Sequence, residues 1–432
     1  MKTANYQLLF VLLLVLTITS CNTRNNQITH VNDYSTYLEL TESETLQTIQ
    51  GDHDFWENKL EKEPNQYPHL VKLAASQSQL FTATGNIDYL IKAEESLMKA
   101  NEKINYTNSG YLRALARNYI SQHRFKEALT LLEKAETIGE NLKGTQKMLF
   151  DVHLELGNTK EASHYLAEVK NLSDFGFLIR LSKWSDHEGD LKSTIKYMEK
   201  AMAIAESSKN KALMQWAFTN IADYYGHDGQ IEKAYNYYLK ALDINANDAY
   251  AKKGIAWIVY SYERNPQEAL RILNTIEKQH QAPDYFLLKA EISEYMEDSV
   301  AKTKNLTLYA EAVTNAKYGD MYNAYNAKLF AEELNLTDKA LALSRLEIKN
   351  RPTAQSYDLL AWTYYNKGHY ENALHIAVDN VLNKTFEPEA MYHLAKIYKA
   401  NGKFLEAKKL KKELLESSFE LGPLVEKEIK NI

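Results

Sequence analysis

LARNYISQHRFKEALTLLEKA, residues 115–135, returns three times with its chemistry intact: IADYYGHDGQIEKAYNYYLKA (221–241), LAWTYYNKGHYENALHIAVDN (360–380) and LAKIYKANGKFLEAKKLKKEL (394–414). Each copy has a small residue at its second place, an aromatic three residues later, a turn, and an alanine twelve residues after the small residue. Working outward, the alanines continue as Ala128, Ala162, Ala234, Ala269, Ala340, Ala373 and Ala407, with Thr194 in the same slot of one weaker copy. The gaps run 34, 32, 40, 35, 71, 33 and 34. A period near 34 is that of a helix-turn-helix unit, so the gap of 71 hides one degenerate copy between residues 283 and 318. The physical reason for the recurrence is steric. Ala116, Ala222, Ala361 and Ala395 let two helices approach closely, and Gly157, Gly189, Gly229, Gly368 and Gly402 supply the left-handed cap between them. Tyr119, Tyr225, Tyr364 and Tyr398 fill the remaining gap as core, not as catalytic groups.

This pattern closely resembles the tetratricopeptide repeat family. The resemblance implies an all-α fold, a right-handed superhelical solenoid of about ten such repeats with a C-terminal capping helix, spanning residues 35–432. It also implies a concave groove, lined by the first helix of each pair, of the kind that binds extended or helical segments of other proteins. At the N-terminal edge, FWENKLEKEP (55–64) reads as a second helix closed by Pro64, with Asp52 or Asp54 as its N-cap. At the other edge Gly422-Pro423 stops one helix and starts the cap, the polar end-piece an open stack needs. The gap of 40 leaves room for a small insertion. Neighbours touch only neighbours in such a stack, so 432 residues form one solenoid and not three domains.

Composition agrees. Hydrophobic residues at 45% and charged residues at 25% suit a chain with a large core. Only 15 glycines and 7 prolines leave too few turn residues for a sandwich or barrel. A net charge of −6 gives no electrostatic footprint for nucleic acid.

The chain opens with Met1 and Lys2 followed by the apolar run LLFVLLLVLTI (8–18). Eleven residues are too few to span a bilayer, which takes about 20, so residues 1–20 read as an export signal. Ile18-Thr19-Ser20-Cys21 resembles the bacterial lipobox, which implies lipidation of Cys21, the only cysteine in the sequence. With no other thiol, disulfides, cysteine-zinc sites and cysteine nucleophiles are excluded. Residues 21–34 read as the lipidated cysteine and a flexible tether. Asn22 is not the aspartate associated with inner-membrane retention, so the expected location is the outer membrane, facing the periplasm.

Motifs for chemistry are missing: GxGxxG, a P-loop, G-x-S-x-G and HExxH are all absent. His369 and His375 read as members of different helices of one repeat, GDHDFWE (51–57) as a helix start and not a metal site, and KKLKKEL (408–414) as a solvated face. The expectation is therefore no enzyme, no cofactor and no metal. What the repeats offer is the groove. Its early copies carry Arg113, Arg117, Lys147 and Lys183, with Asp151 and Asp186 interspersed. Its later copies carry Trp216, Tyr322, Tyr325, Trp362, Tyr365 and Tyr392, next to Lys396 and Lys399. That pattern predicts an acidic and apolar partner segment, with Trp362, Tyr365 and Tyr392 as anchors. The family's carboxylate-clamp variant is matched by Arg113, Arg117 and Arg180 but not by Met148 and Gly176, so that mode is not expected. Two functions follow: a lipid-anchored interaction scaffold of the bacterial envelope holding an envelope protein or peptide segment, or a glycan- or oligopeptide-binding lipoprotein of an outer-membrane uptake system.

Overall fold

The computed structural model describes residues 27–39 and 43–432. The apolar N-terminal run, Cys21 and the start of the expected tether lie outside the described residues. Among the described residues every regular element is a helix. Two short helical turns (Val31–Tyr34 and Ser35–Leu38) and one long helix, α1 (Glu44–Lys62), precede ten helix pairs. The first five are α2 and α3 (Tyr67–Thr84, Ile87–Lys103), α4 and α5 (Ser109–Ser121, Phe125–Ile138), α6 and α7 (Leu142–Glu155, Thr159–Glu168), α8 and α9 (Phe175–His187, Leu191–Ser208), and α10 and α11 (Lys211–His227, Ile231–Ile244). Next come α12 and α13 (Ala249–Trp257, Pro266–Ile276), α14 and α15 (Asp284–Tyr295, Ser299–Ala312), and α16 and α17 (Asn323–Glu332, Thr337–Asn350). The series ends with α18 and α19 (Ala354–Asn366, Tyr370–Asn380) and α20 and α21 (Pro388–Ala400, Phe404–Glu416). A final helix, α22 (Ser418–Lys430), caps the stack.

The alanine slot is the fourth residue of each second helix, and its occupants Ala128, Ala162, Ala234, Ala269, Ala340, Ala373 and Ala407 are at most 1% exposed. The small residues opposite, Ala116, Ala222, Ala361 and Ala395, are wholly buried. A larger side chain at such a crossing forces the helices apart, typically at a cost of about 1–3 kcal/mol. Thr194 fits because its hydroxyl turns back to the Asp190 carbonyl (2.9 Å), while Ser182 donates to the Thr194 carbonyl at 2.7 Å. The hidden copy is α14 and α15, where the slot holds Lys302. Its ammonium escapes burial by bonding Glu294 (2.9 Å) and Glu333 (2.8 Å). Tyr119, Tyr225 and Tyr398 are 4–8% exposed and pack in the core, as expected.

Four local expectations are corrected. The first helix starts at Glu44 with Ser43 as its cap, accepting from the Leu46 amide at 3.1 Å, so Asp52 and Asp54 sit mid-helix. Ser43 serves because its hydroxyl reaches a free amide of the first turn. His369 is the N-cap residue of α19, the helix that also carries His375, so the two are not on different helices. The 40-residue gap holds no inserted loop, since its extra residues lengthen α9 to 18 residues and α10 to 17. Finally, the tether is shorter than expected, because residues 28–38 are packed on the solenoid. Thr29 and Tyr34 are each 2% exposed. The Ile28 and Thr29 amides donate to one Glu263 oxygen (2.8 and 2.6 Å), and the Thr29 hydroxyl donates to the other at 2.9 Å. Farther along this strap the Tyr34 hydroxyl donates to Glu268 (2.7 Å) and Tyr37 to Asp243 (2.5 Å). A polar sequence is held here because its tyrosines bury rings while their hydroxyls find carboxylates.

The solenoid winds back onto itself. The Gln281 amide donates to the Thr84 carbonyl at 2.7 Å. Arg351 pairs with Glu155 at 3.3 Å and lies over the Phe125 ring. Trp257 Nε1 donates to the Phe419 carbonyl at 3.0 Å, and Arg264 pairs with Glu426. Partners along most of this seam are roughly 195 residues apart, close to six repeats of about 34. Left-handed glycines are needed for it. A methyl on Gly189 would lie 2.5 Å from the Phe386 ring, and one on Gly85 would overlap the backbone of Gln281. Gly229, Gly368 and Gly402 hold the same kind of cap with nothing within 4 Å, so they serve the cap alone. Between Trp257 and Glu263 the helix passes through one π turn, Ile258–Tyr262, a device common at functional sites. It presents Glu263 to the N-terminal strap and Arg264 to α22. In α22, Gly422 breaks the helix (φ 80°, ψ 167°) where Trp257 and Glu291 approach, as the Gly-Pro pair led us to expect.

Candidate functional site

Because the turns meet, the first helices face an enclosed space and not an open groove. Glu389 keeps 55% of its side-chain surface open to water, Lys183 41% and Glu155 31%, yet protein surrounds each of them on nearly every side. Side chains both open to solvent and closely flanked by protein mark out an inner channel bounded by the first helices.

The channel wall is crossed by bonds between adjacent first helices. Lys147 reaches Asp174 (2.5 Å), Arg180 reaches Asp151 (2.5 Å), Lys183 reaches Glu155 (2.8 Å) and Lys253 reaches Asp284 (2.6 Å). Lys328 reaches past one pair to Glu389 (2.6 Å). These bonds fix the electrostatics. Burial disfavours charge on Lys183, but Glu155 and Asp151 outweigh it and hold the ammonium charged. Burial pushes the Asp151 carboxyl up even with Arg180 bonded to it.

The predicted site residues divide accordingly. Arg113 donates to the Glu140 carbonyl (2.8 Å) and to Thr145 (3.1 Å), a staple between repeats. Lys147 and Lys183 are neutralised within the wall. Arg117 is exposed and makes no ion pair among the described residues. The positive end expected for an acidic partner is thus largely cancelled by the neighbouring helix. The aromatic end is corrected too. Trp362 is 6% exposed, stacked on Tyr365 (4.7 Å) and on His393 (4.0 Å), with its Nε1 donating to Glu332 at 2.5 Å. Tyr392 is 7% exposed and donates to Glu428 at 2.6 Å. Both are packing between repeats. Aromatics that stay open on the first helices include Trp216 (42%), Tyr250 (56%) and Tyr325 (44%), besides Tyr67 at the head of α2.

What sequence reasoning missed is a surplus of carboxyls. Asp186, Asp223, Glu291, Glu332, Glu387 and Glu420 have no lysine or arginine ion pair among the described residues. Asp223 accepts from Tyr238 (2.5 Å) and Tyr250 (2.7 Å), and burial pushes its carboxyl up. Burial likewise pushes Glu291 up to about 7, although Tyr260 donates to it at 3.1 Å. Glu387 is pushed up to about 7 by burial and then by Glu420 and Asp186. A count of acids on first helices held the signal, but only the lateral bonds show which acids stay uncompensated.

Two groupings of reactive type are structural. His393 lies 2.8 Å from Asp358, but both are over 90% buried and the imidazole is covered by Trp362, out of reach of a substrate. His53, Asp54 and Glu57 bring ligand atoms within 4.8 Å of one another, the one such group among the described residues. Three donors from one turn of α1 cover a single side of an ion, and Gln50 and His53 already bond the Asp54 carboxylate and hold it low. No helix among the described residues is long and apolar enough to cross a membrane.

Comparison with known proteins adds the following. No curated protein matches the sequence. Among solved structures, PilW, a widely conserved type IV pilus biogenesis factor, is 15% identical over 49% of this chain and 96% of its own, with a TM-score of 0.39. A tetratricopeptide repeat protein from Parabacteroides merdae ATCC 43184 is 17% identical over 60% and 98% (TM-score 0.35). The human IFIT1 dimer with PPP-AAAA is 14% identical over 89% and 93% (TM-score 0.43). These scores carry no inference about a partner. In sequence, residues 217–248, which hold most of α10 and all of α11, match the family model described as tetratricopeptide repeat.

Proposed function

We propose that the protein is a non-enzymatic scaffold of the bacterial cell envelope, anchored by lipid at Cys21 and facing the periplasm from the outer membrane, whose channel holds a segment of a partner protein. The feature that supports this most directly is the channel bounded by the first helices, with a carboxyl surplus and the open rings of Trp216, Tyr250 and Tyr325. A segment entering it meets Asp186, Asp223 and Glu291, none of them in an ion pair with a lysine or arginine of the described residues, so the fitting partner is extended, basic and partly apolar. Charge sets its approach and register, while ring burial on Trp216, Tyr250 and Tyr325 supplies affinity. This reverses the charge expected of the partner from the first helices read singly.

The test is photo-crosslinking from within the channel. A crosslinking amino acid at Tyr325 should capture a discrete envelope protein through a lysine- or arginine-bearing segment, and the same group at Phe404, on the outer surface of α21, should not. Capture from Phe404 alone would place the function on the outside. The anchor is tested separately: Cys21→Ser should move the protein from the membrane fraction to the soluble one, and a Ser variant that still incorporated a palmitate analogue would refute lipidation at Cys21.

A further inference from the structure

Along one stretch of the seam, two apolar contacts and four ionisable groups lie side by side. Phe386 covers Gly189 and Phe419 covers Gly226. Beside these rings Asp186 and His227 project from the ends of α8 and α10 in the first superhelical turn, and Glu387 and Glu420 from the start of α20 and from α22 in the second. His227 Nδ1 is 3.6 Å from Glu420. Closing the seam therefore brings three carboxyls of two turns around a single imidazole.

We propose that this stretch is a pH-operated gate of the channel, which protonation of Glu387 and its neighbours closes and their ionisation loosens. The groups that face Glu387 are Glu420 on α22, Asp186 on α8, His227 and Tyr224 on α10 and Glu389 at the head of α20. Lys183 and His187 act on Asp186 from its own helix, and Lys328 on α16 is taken up by Glu389. Among the described residues no arginine or lysine bonds the three carboxyls, so ionising them when the seam is shut sets like charges against one another in a partly dewatered place. Burial, then Glu420 and Asp186, push Glu387 up to about 7, with His227 opposing, and burial raises Asp186 and Glu420 as well. When the turns part, each carboxyl regains water and its ordinary value. The shut form thus binds protons more tightly, gains weight below about pH 7, and loses it as pH rises through that value. For Glu387 alone, the gap from an ordinary 4.5 to about 7 would alter the shut-to-open ratio up to roughly 300-fold. Water at its exposed side chain reduces that, and about tenfold is the expectation. Only small rotations are needed to open, because they add up over the six repeats between the two sides. Control of ligand entry rests on the channel being the binding site, whereas the opening itself does not.

The experiment measures the seam directly. In the full chain carrying Cys21→Ser, spin labels on Glu188→Cys and Lys384→Cys report the distance across the seam at pH 5.5, 7.0 and 8.5. The short-distance population should fall relative to the long one by about tenfold from pH 5.5 to 8.5. With Glu387→Gln and Glu420→Gln together, the short distance should persist at every pH, the ratio changing less than threefold. Asp186→Asn alone, the milder variant, should move the transition to lower pH. A distance distribution that ignores pH in the parent, an unchanged pH dependence in the double Gln variant, or an unmoved midpoint in Asp186→Asn would each overturn the gate. Distances that follow pH while channel crosslinking fails would leave the gate standing and remove the binding reading alone.

Discussion

Gly85→Ala tests the seam against a built-in control. Gly85 (φ 68°) and Gly229 (φ 72°) both occupy left-handed positions after a first helix, so alanine at either costs about 1–2 kcal/mol in backbone conformation alone. At Gly229 that is the whole cost, since nothing lies within 4 Å. At Gly85 the new methyl overlaps the Gln281 carbonyl, which is backbone and cannot swing aside as a flexible side chain can. The turns must separate there, and the 2.7 Å bond from the Gln281 amide to the Thr84 carbonyl is lost, worth about 0.5–1.5 kcal/mol net. Gly85→Ala should therefore cost about 1–2 kcal/mol more than Gly229→Ala. Repeat arrays open locally, so the assay is native-state hydrogen exchange, residue by residue. Protection of the Gln281 amide should drop about tenfold or more in Gly85→Ala and stay as in the parent in Gly229→Ala. Equal losses in the two variants, with Gln281 equally protected, would refute the claim that the superhelical turns touch at this point.

Other outcomes follow from the same structure. Tyr34→Ala removes a ring that is 2% exposed and its bond to Glu268, so the strap should detach and the Ile28 and Thr29 amides lose protection while α14–α21 keep theirs. Trp362→Ala should destabilise the pairs around α18 and α20 by about 3–5 kcal/mol, read as a lower denaturation midpoint, because the indole is core. Glu291→Gln should stabilise the protein at pH 8 by about 1–2 kcal/mol and change little at pH 4.5. The sign follows from a carboxyl pushed up to about 7 when folded: its burden on stability grows as pH rises from its ordinary value through 7.

The repeat was legible because most copies solve one steric problem with one residue type, an alanine at the fourth place of the second helix. The copy at α14 and α15 escaped because Lys302 solves it differently, by sending its charge out between Glu294 and Glu333. The channel was legible only in outline. Arg180 and Lys183 mark the wall, but their charge is cancelled by Asp151 and Glu155, 29 and 28 residues away on the preceding first helix, a pairing that helical periodicity does not encode. Trp362 and Tyr392 occupy face positions, yet the burial that removes them from the binding surface comes from His393 and Glu428 on later helices. The seam left less trace still: Gly189 opposite Phe386 and Gly226 opposite Phe419, each pair about six repeats apart. The strap was hidden by its polarity, because NDYSTYL (32–38) reads as a linker until Glu268 and Asp243 are known to receive its tyrosine hydroxyls.

Solenoids ordinarily lengthen or shorten by duplicating or losing a unit, since an extra unit disturbs only its two neighbours. In this chain consecutive residues of the sixth pair grip both extremities, Glu263 the N-terminal strap and Arg264 the C-terminal cap. One added or deleted unit between α2 and α14 would put Gln281 out of step with Thr84, and one between α8 and α20 would do the same to Phe386 and Gly189. The number of units is thus fixed by a count around the ring, and the lineage of this protein can drift in sequence within each unit far more freely than it can change how many it has.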